Sequence, residues 1–183
     1  MNNQATVFFI AGIIFCFLLV LLALFIKKKL EKHLIPYQKG KKYWCKVVHI
    51  SDGDTLTCRR FNLRRSVTKV RFAYIDAPES KQAYGIESAR LLKKMVDGKI
   101  VRIQIAEVDR YGRHIGVIHR FGRNINEEML KRGAAWVYED YIKDKNELKR
   151  LQELQAKAKK QKKGLWKNTR AVHPSVFRNQ SRS

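Results

Sequence analysis

Val70-Arg71-Phe72-Ala73-Tyr74-Ile75-Asp76-Ala77-Pro78-Glu79 reads as a β-strand that runs into an acidic end stopped by proline. Val70, Phe72 and Tyr74 fall on one face and Arg71, Ala73 and Ile75 on the other, the two-residue period of a strand over 67–75. Pro78 cannot donate to a ladder and closes the run. Arg71 carries a charge in the middle of this apolar strand, which is costly unless an anion meets it.

Upstream, 44–50 and 55–63 are rich in β-branched and aromatic residues, and Asp52-Gly53-Asp54 between them is a turn signal, so a hairpin is expected. Downstream, Ile86, Ala89, Leu92 and Val96 recur at helical steps within 84–96, and Gly98 suits a left-handed cap. Strands follow at 99–106, with Val101, Ile103 and Ile105 on one face, and at 113–121, with Ile115 and Val117 inward. A short helix is expected over 124–132, closed by Gly133. A longer one starts at a capping box of Asp144 and Glu147, carries Leu148, Leu151, Leu154 and Ala158, and stops at Gly164. Three strands, a helix, two strands and then helices predict an α+β, mainly β fold. Its centre is a five-stranded OB-type β-barrel with about three appended helices.

Val7 to Ile26 is apolar and uncharged. Twenty helical residues cover about 30 Å, the thickness of a bilayer's hydrocarbon core. The expected layout is a short tail over 1–6, a transmembrane helix over 7–26, a basic linker over 27–42, a globular domain over 43–167 and a basic flexible tail over 168–183. A cleaved signal peptide fits less well, since no charge precedes the apolar run and Lys27-Lys28-Lys29 stands where a cleavage site belongs. The positive-inside rule places the lysine flank, and the domain behind it, in the cytoplasm of a single-pass protein; an extracytoplasmic or secreted domain is the alternative.

A net charge of +23 exceeds what solubility needs and points to a polyanionic partner, either nucleic acid or an acidic lipid surface. Three cysteines make no disulfide framework: Cys16 lies in the apolar run, and Cys45 and Cys58 read as reduced, packed thiols. No Cys/His spacing suggests zinc. A monomer is expected, and no protein partner is inferable.

From about Tyr43 to Trp166 the chain resembles the staphylococcal-nuclease-like, or thermonuclease, family. The resemblance rests on Ile50-Ser51-Asp52-Gly53-Asp54-Thr55, the Val70 to Glu79 stretch, the Tyr84-Gly85-x-Glu87-x-Ala89 helix entry and Asp109-Arg110-Tyr111-Gly112-Arg113, in that order. It implies an OB-like barrel and calcium-dependent cleavage of phosphodiesters in DNA or RNA. Position by position it implies Asp54 and Asp76 as calcium ligands with the Ala77 backbone carbonyl beside them, Glu79 as general base, and Arg71 and Arg113 as cations gripping the scissile phosphate. Family members commonly have Thr where this chain has Ala77; a main-chain ligand makes that change tolerable.

The residue types suit the chemistry. Calcium takes six to eight oxygens in irregular geometry, so two carboxylates, a carbonyl, waters and a phosphate oxygen suffice. Arg holds two phosphate oxygens at once where Lys holds one. Arg71 needs an anion, and either a phosphate or a carboxylate such as Glu79 would serve. Asp52 either orients water around the ion or simply caps its turn. Arg110 and Tyr111 are candidate substrate contacts, by charge and by base stacking; Tyr138 is a weaker one, since aromatics near a helix junction are more often core. The competing readings are a membrane-tethered nucleic-acid-binding module without catalysis and a basic protein lying on lipid. Neither explains a carboxylate cluster, which would repel phosphate in the absence of metal.

Overall fold

The computed structural model describes residues 3–34, 37–61, 65–109 and 113–180, with the side chains of Phe8 and residues 12–27 alone in its first helix. The chain divides into two compact units, the second beginning at Tyr37.

In the first unit, α1 (Asn3–Leu34) is a single helix of 32 residues. It runs on through the expected linker, because the Lys, Leu and Glu residues that dominate 27–34 are good helix formers. Phe15, Phe17 and Phe25 are exposed along it. Among the described residues no helix is long and apolar enough to cross a membrane. The side chains of Val7, Phe9 and Ile10, which belong to the expected span, lie outside that set.

The second unit is a barrel with helices around it. β1 (Lys42–Ile50) pairs antiparallel with β2 (Thr55–Arg60), and β2 with β3 (Val67–Phe72). On its other side β1 pairs with β5 (Ile100–Val108), and β5 with β6 (His114–Arg120). A parallel pairing of β3 with β6 closes the ring at five strands, as expected. A closed ring leaves no bare edge, and its inside is filled by alternate side chains. Val47, Leu56, Val70, Phe72, Val101, Ile103, Ile105 and Ile118 are buried there. Tyr37, expected in the linker, is instead part of this core: its ring stands edge-on to Tyr43 at 4.7 Å, and its hydroxyl is 3.6 Å from Cys58 Sγ. Cys45 and Cys58 are buried free thiols.

Three readings of phase need correction. β3 does not continue straight to Ile75. Tyr74 has φ 68°, a left-handed turn that ends the strand, and β4 (Ile75–Asp76) leaves the barrel to pair with β8 (Trp136–Val137). In β6 the inward residues are Gly116 and Ile118 rather than Ile115 and Val117. A bulge between Ile105 and Glu107 shifts the register, and a Cβ on Gly116 would stand 2.9 Å from Ile103 Cγ2, too close for any larger residue. In α2 (Gly85–Val96) Ile86 is exposed and Ser88 takes the core position, its hydroxyl donating to the Ala134 carbonyl at 2.7 Å.

β7 (Arg123–Asn124) folds back to pair antiparallel with β6 and leads into α3 (Ile125–Lys131), where the Asn124 side chain accepts from the Glu127 N–H. α4 (Lys145–Lys160) starts as read, with Asp144 accepting from the N–H groups of Asn146 and Glu147, and ends earlier, at Gln161. The stretch expected to be a flexible tail carries a helix, α5 (Pro174–Gln180), so among the described residues of the second unit there are four α-helices where about three were expected. Proline suits the first turn of a helix, where its missing N–H has no partner to lose.

Candidate active site

Asp54 ends the β1–β2 turn and is 3% exposed. Its placement follows from the strand register: Thr55 lies opposite Arg71, and the Phe72 N–H donates to the Asp54 carbonyl at 2.7 Å. Oδ1 accepts from the Thr55 hydroxyl and Oδ2 from the Ala77 N–H, each at 2.8 Å. Only glycine fits before it, because a Cβ on Gly53 would run into Ser88 Oγ. Asp52 turns its carboxylate inward to accept the Asp54 N–H at 3.0 Å, the turn-capping half of its two readings.

The left-handed turn at Tyr74 carries Asp76 into the same place. Asp76 is fully buried, and its Oδ1 accepts from Arg71 Nη2 at 2.6 Å. The same nitrogen is 3.4 Å from Asp54 Oδ2, so one guanidinium reaches both carboxylates. That answers the question Arg71 poses in the sequence: its anions are Asp54 and Asp76. Glu79 follows on the exposed side of Pro78, its N–H donating to Gln82 Oε1 at 3.1 Å.

The electrostatics follow from burial. Loss of water pushes the Asp54 carboxyl up to about 7; Arg71 and the Ala77 N–H pull it down, while Asp52 and Asp76 push it further up. Burial works against the charge of Arg71, but Asp54 and Asp76 more than offset it, and its pKa rises. Tyr138 is half-buried, with its N–H donating to the Tyr74 carbonyl at 2.9 Å. Burial, Tyr141 and Asp76 raise its hydroxyl pKa, which puts its ring within electrostatic range of the cluster.

Arg113 has a described partner outside the cluster. The described partner of Arg113 is Asp109, whose Oδ2 takes its Nε at 2.6 Å and whose Oδ1 takes its N–H at 2.8 Å. Arg110 and Tyr111 lie outside the described residues.

One member was missed. Arg178, on α5, donates to Asp76 Oδ2 at 2.8 Å through Nη2, and through Nη1 to Asp76 Oδ1 at 3.2 Å and Glu79 Oε1 at 2.8 Å. Its helix was legible in His173-Pro174-Ser175, but nothing in a basic tail marks one arginine as bound to residues a hundred positions away.

Among the described residues no group of three or more His, Cys, Asp and Glu forms a cage for a metal ion. The donor set still suits a hard cation. Two buried carboxylates converge on Arg71 Nη2, and carboxylate oxygens are the donors such an ion takes.

Known proteins are similar to this chain in sequence. The model of the family described as staphylococcal nuclease homologue matches residues 69–168. A protein of Haemophilus influenzae named uncharacterized endonuclease is 42% identical over 142 residues, covering 78% of this chain and 76% of its own. A micrococcal nuclease of Shigella flexneri is 36% identical over 146 residues, covering 75% and 81%. An Arabidopsis thaliana staphylococcal-like nuclease is 38% identical over 114 residues, covering 62% of this chain and 34% of its own. By fold, motif and sequence likeness, the chain belongs to the staphylococcal nuclease homologue family.

Proposed function

We propose that the chain is a calcium-dependent nuclease that hydrolyses phosphodiester bonds in DNA and RNA, held to a membrane by residues 7–26. The observation that carries the catalytic reading is the convergence of Asp54 and Asp76 on Arg71 with Glu79 beside them. A module that only binds nucleic acid gains nothing from three carboxylates facing phosphate. Relatives named endonuclease and micrococcal nuclease support hydrolysis.

Asp54, Asp76 and the Ala77 carbonyl would hold the calcium, which when bound supplies Lewis-acid polarisation of a non-bridging phosphate oxygen. Glu79, 38% exposed at the side chain, is open to solvent on one side and takes the proton of the water that attacks phosphorus. Arg71, fixed by two buried carboxylates, presents a cation that needs no reorganisation as negative charge gathers on the phosphate. Arg113 reaches the phosphate by leaving Asp109 and stabilises the departing oxygen. Tyr138 packs beside the substrate, and Arg110 and Tyr111 add a phosphate contact and a stacking surface. Asp52 holds the turn that aims Asp54.

The anchor reading rests on the 20 apolar residues 7–26 within a helix that spans Asn3–Leu34. The lysines that follow place the domain in the cytoplasm. Digestion of the domain by protease added outside intact cells would overturn that orientation.

Cleavage of single-stranded DNA and RNA by the purified chain, with calcium or with a chelator, tests the activity. Products are expected with calcium alone, and Glu79→Ala should lower the rate about 10²- to 10⁴-fold. Equal cleavage with and without chelator, or none in either, would refute the reading.

A further inference from the structure

We propose that α5 is an intramolecular plug: Arg178 fills the carboxylate cluster in place of the divalent cation, and the helix must withdraw before the ion can be held. This rests on the calcium-dependent reading above.

Arg178 is spread over both oxygens of Asp76 and one of Glu79, the residues to which that reading gives ligand and base roles. Asp76 Oδ1 also accepts from Arg71 at 2.6 Å, so its two lone pairs are both taken. A calcium ion within about 2.3 to 2.6 Å of Asp76 would take a lone pair of Oδ1 that Arg71 or Arg178 uses, or share Oδ2 with Arg178 Nη2. It would also sit against a guanidinium of like charge.

The hold of α5 on the domain is the kind that lets go. It is a helix of 7 residues, of which only Pro174 is buried. The segment leading into it is tied by Gln82 Nε2 donating to the Val172 carbonyl at 2.6 Å, and by the His173 ring against Trp136 at 5.1 Å. Elements with few buried apolar groups open at low free-energy cost. Arg178 is thus a polar fastening of the helix that is made to the site itself.

The test is calorimetric titration of the full chain in mild detergent with calcium chloride, comparing parent, Arg178→Gln, Arg178→Lys and Arg170→Gln. A site open a tenth of the time or less has its affinity reduced by that fraction, so Arg178→Gln should lower the calcium Kd about tenfold or more. Arg178→Lys, which keeps the charge and loses the fork, should fall between the two. Arg170→Gln removes an exposed cation from the same segment and should match the parent. In the parent, calcium should speed tryptic cleavage within α5. Equal Kd values for parent and Arg178→Gln would overturn the plug and leave the calcium reading standing. Unchanged calcium binding with lost cleavage in Arg178→Gln would also overturn it, by making Arg178 a phosphate-holding group. Absence of calcium binding in every variant would overturn the plug and the calcium reading together.

Discussion

Two Asp–Arg pairs in the second unit have the same length and different surroundings. Arg71 Nη2 meets Asp76 at 2.6 Å with side-chain exposures of 20% and 1%; Arg113 Nε meets Asp109 at 2.6 Å with 47% and 14%. In the first pair Asp76 has no water to fall back on and Arg71 little, so the geometry is held by the cost of breaking it. In the second, solvent replaces what a broken contact loses, and the pair contributes little to stability. The lesson concerns function: Arg71 is fixed and preorganised, whereas Arg113 is stored at a turn from which it can move. A site that needs one cation already in place and another that arrives with substrate would use these two environments.

The sharpest way to break this comparison is to remove each arginine and read stability and rate separately. Arg71→Ala leaves buried Asp54 without its cation and Asp76 with Arg178 alone, and should cost about 3 to 5 kcal/mol in urea unfolding. It should also lower kcat at least about 10²- to 10³-fold, the usual loss for one group stabilising transition-state charge. Arg113→Ala should lower kcat over a similar range but change unfolding free energy by no more than about 1 kcal/mol. Equal stability losses from the two substitutions would end the distinction between a fixed and a stored cation.

The buried cluster should also report pH. The folded pKa of Asp54, about 7, lies above its unfolded value near 3.8, so its contribution to stability is present below pH 4 and is lost as pH rises through 7. The unfolding free energy of the parent relative to Asp54→Asn should therefore fall across that window, by at most about 1.4 kcal/mol per pH unit. Saturating calcium should flatten the slope, and a slope of opposite sign would contradict the burial of this carboxylate. The smallest effect belongs to Asp109→Asn, which should alter stability by less than about 0.5 kcal/mol. A larger loss in thermal unfolding would show that the exposed pair does structural work.

The barrel was legible because strand burial repeats every two residues, and Val101, Ile103 and Ile105 are all buried as their alternation says. So was the N-terminal cap of α4 at Asp144, where one side chain serves backbone groups two and three residues away. Both signals are local. Reading failed where a single non-local feature reset the phase: the left-handed Tyr74 that diverts Asp76 from the barrel, the bulge that turns Gly116 and Ile118 inward, and Ser88 drawn into the core by the Ala134 carbonyl.

By itself the sequence determined the strand order, the acidic and basic residues from which a phosphodiesterase could be built, and the apolar segment before them, because periodicity, turn chemistry and charge are written in neighbouring residues. Only the tertiary structure decided which charges meet. It gave Arg71 to Asp54 and Asp76, kept Arg113 with Asp109 and brought Arg178 from the far end of the chain to Glu79. The reason is physical: an ion pair is a matter of distance and dielectric, and both are set by how the barrel closes and what its closing shuts away from water.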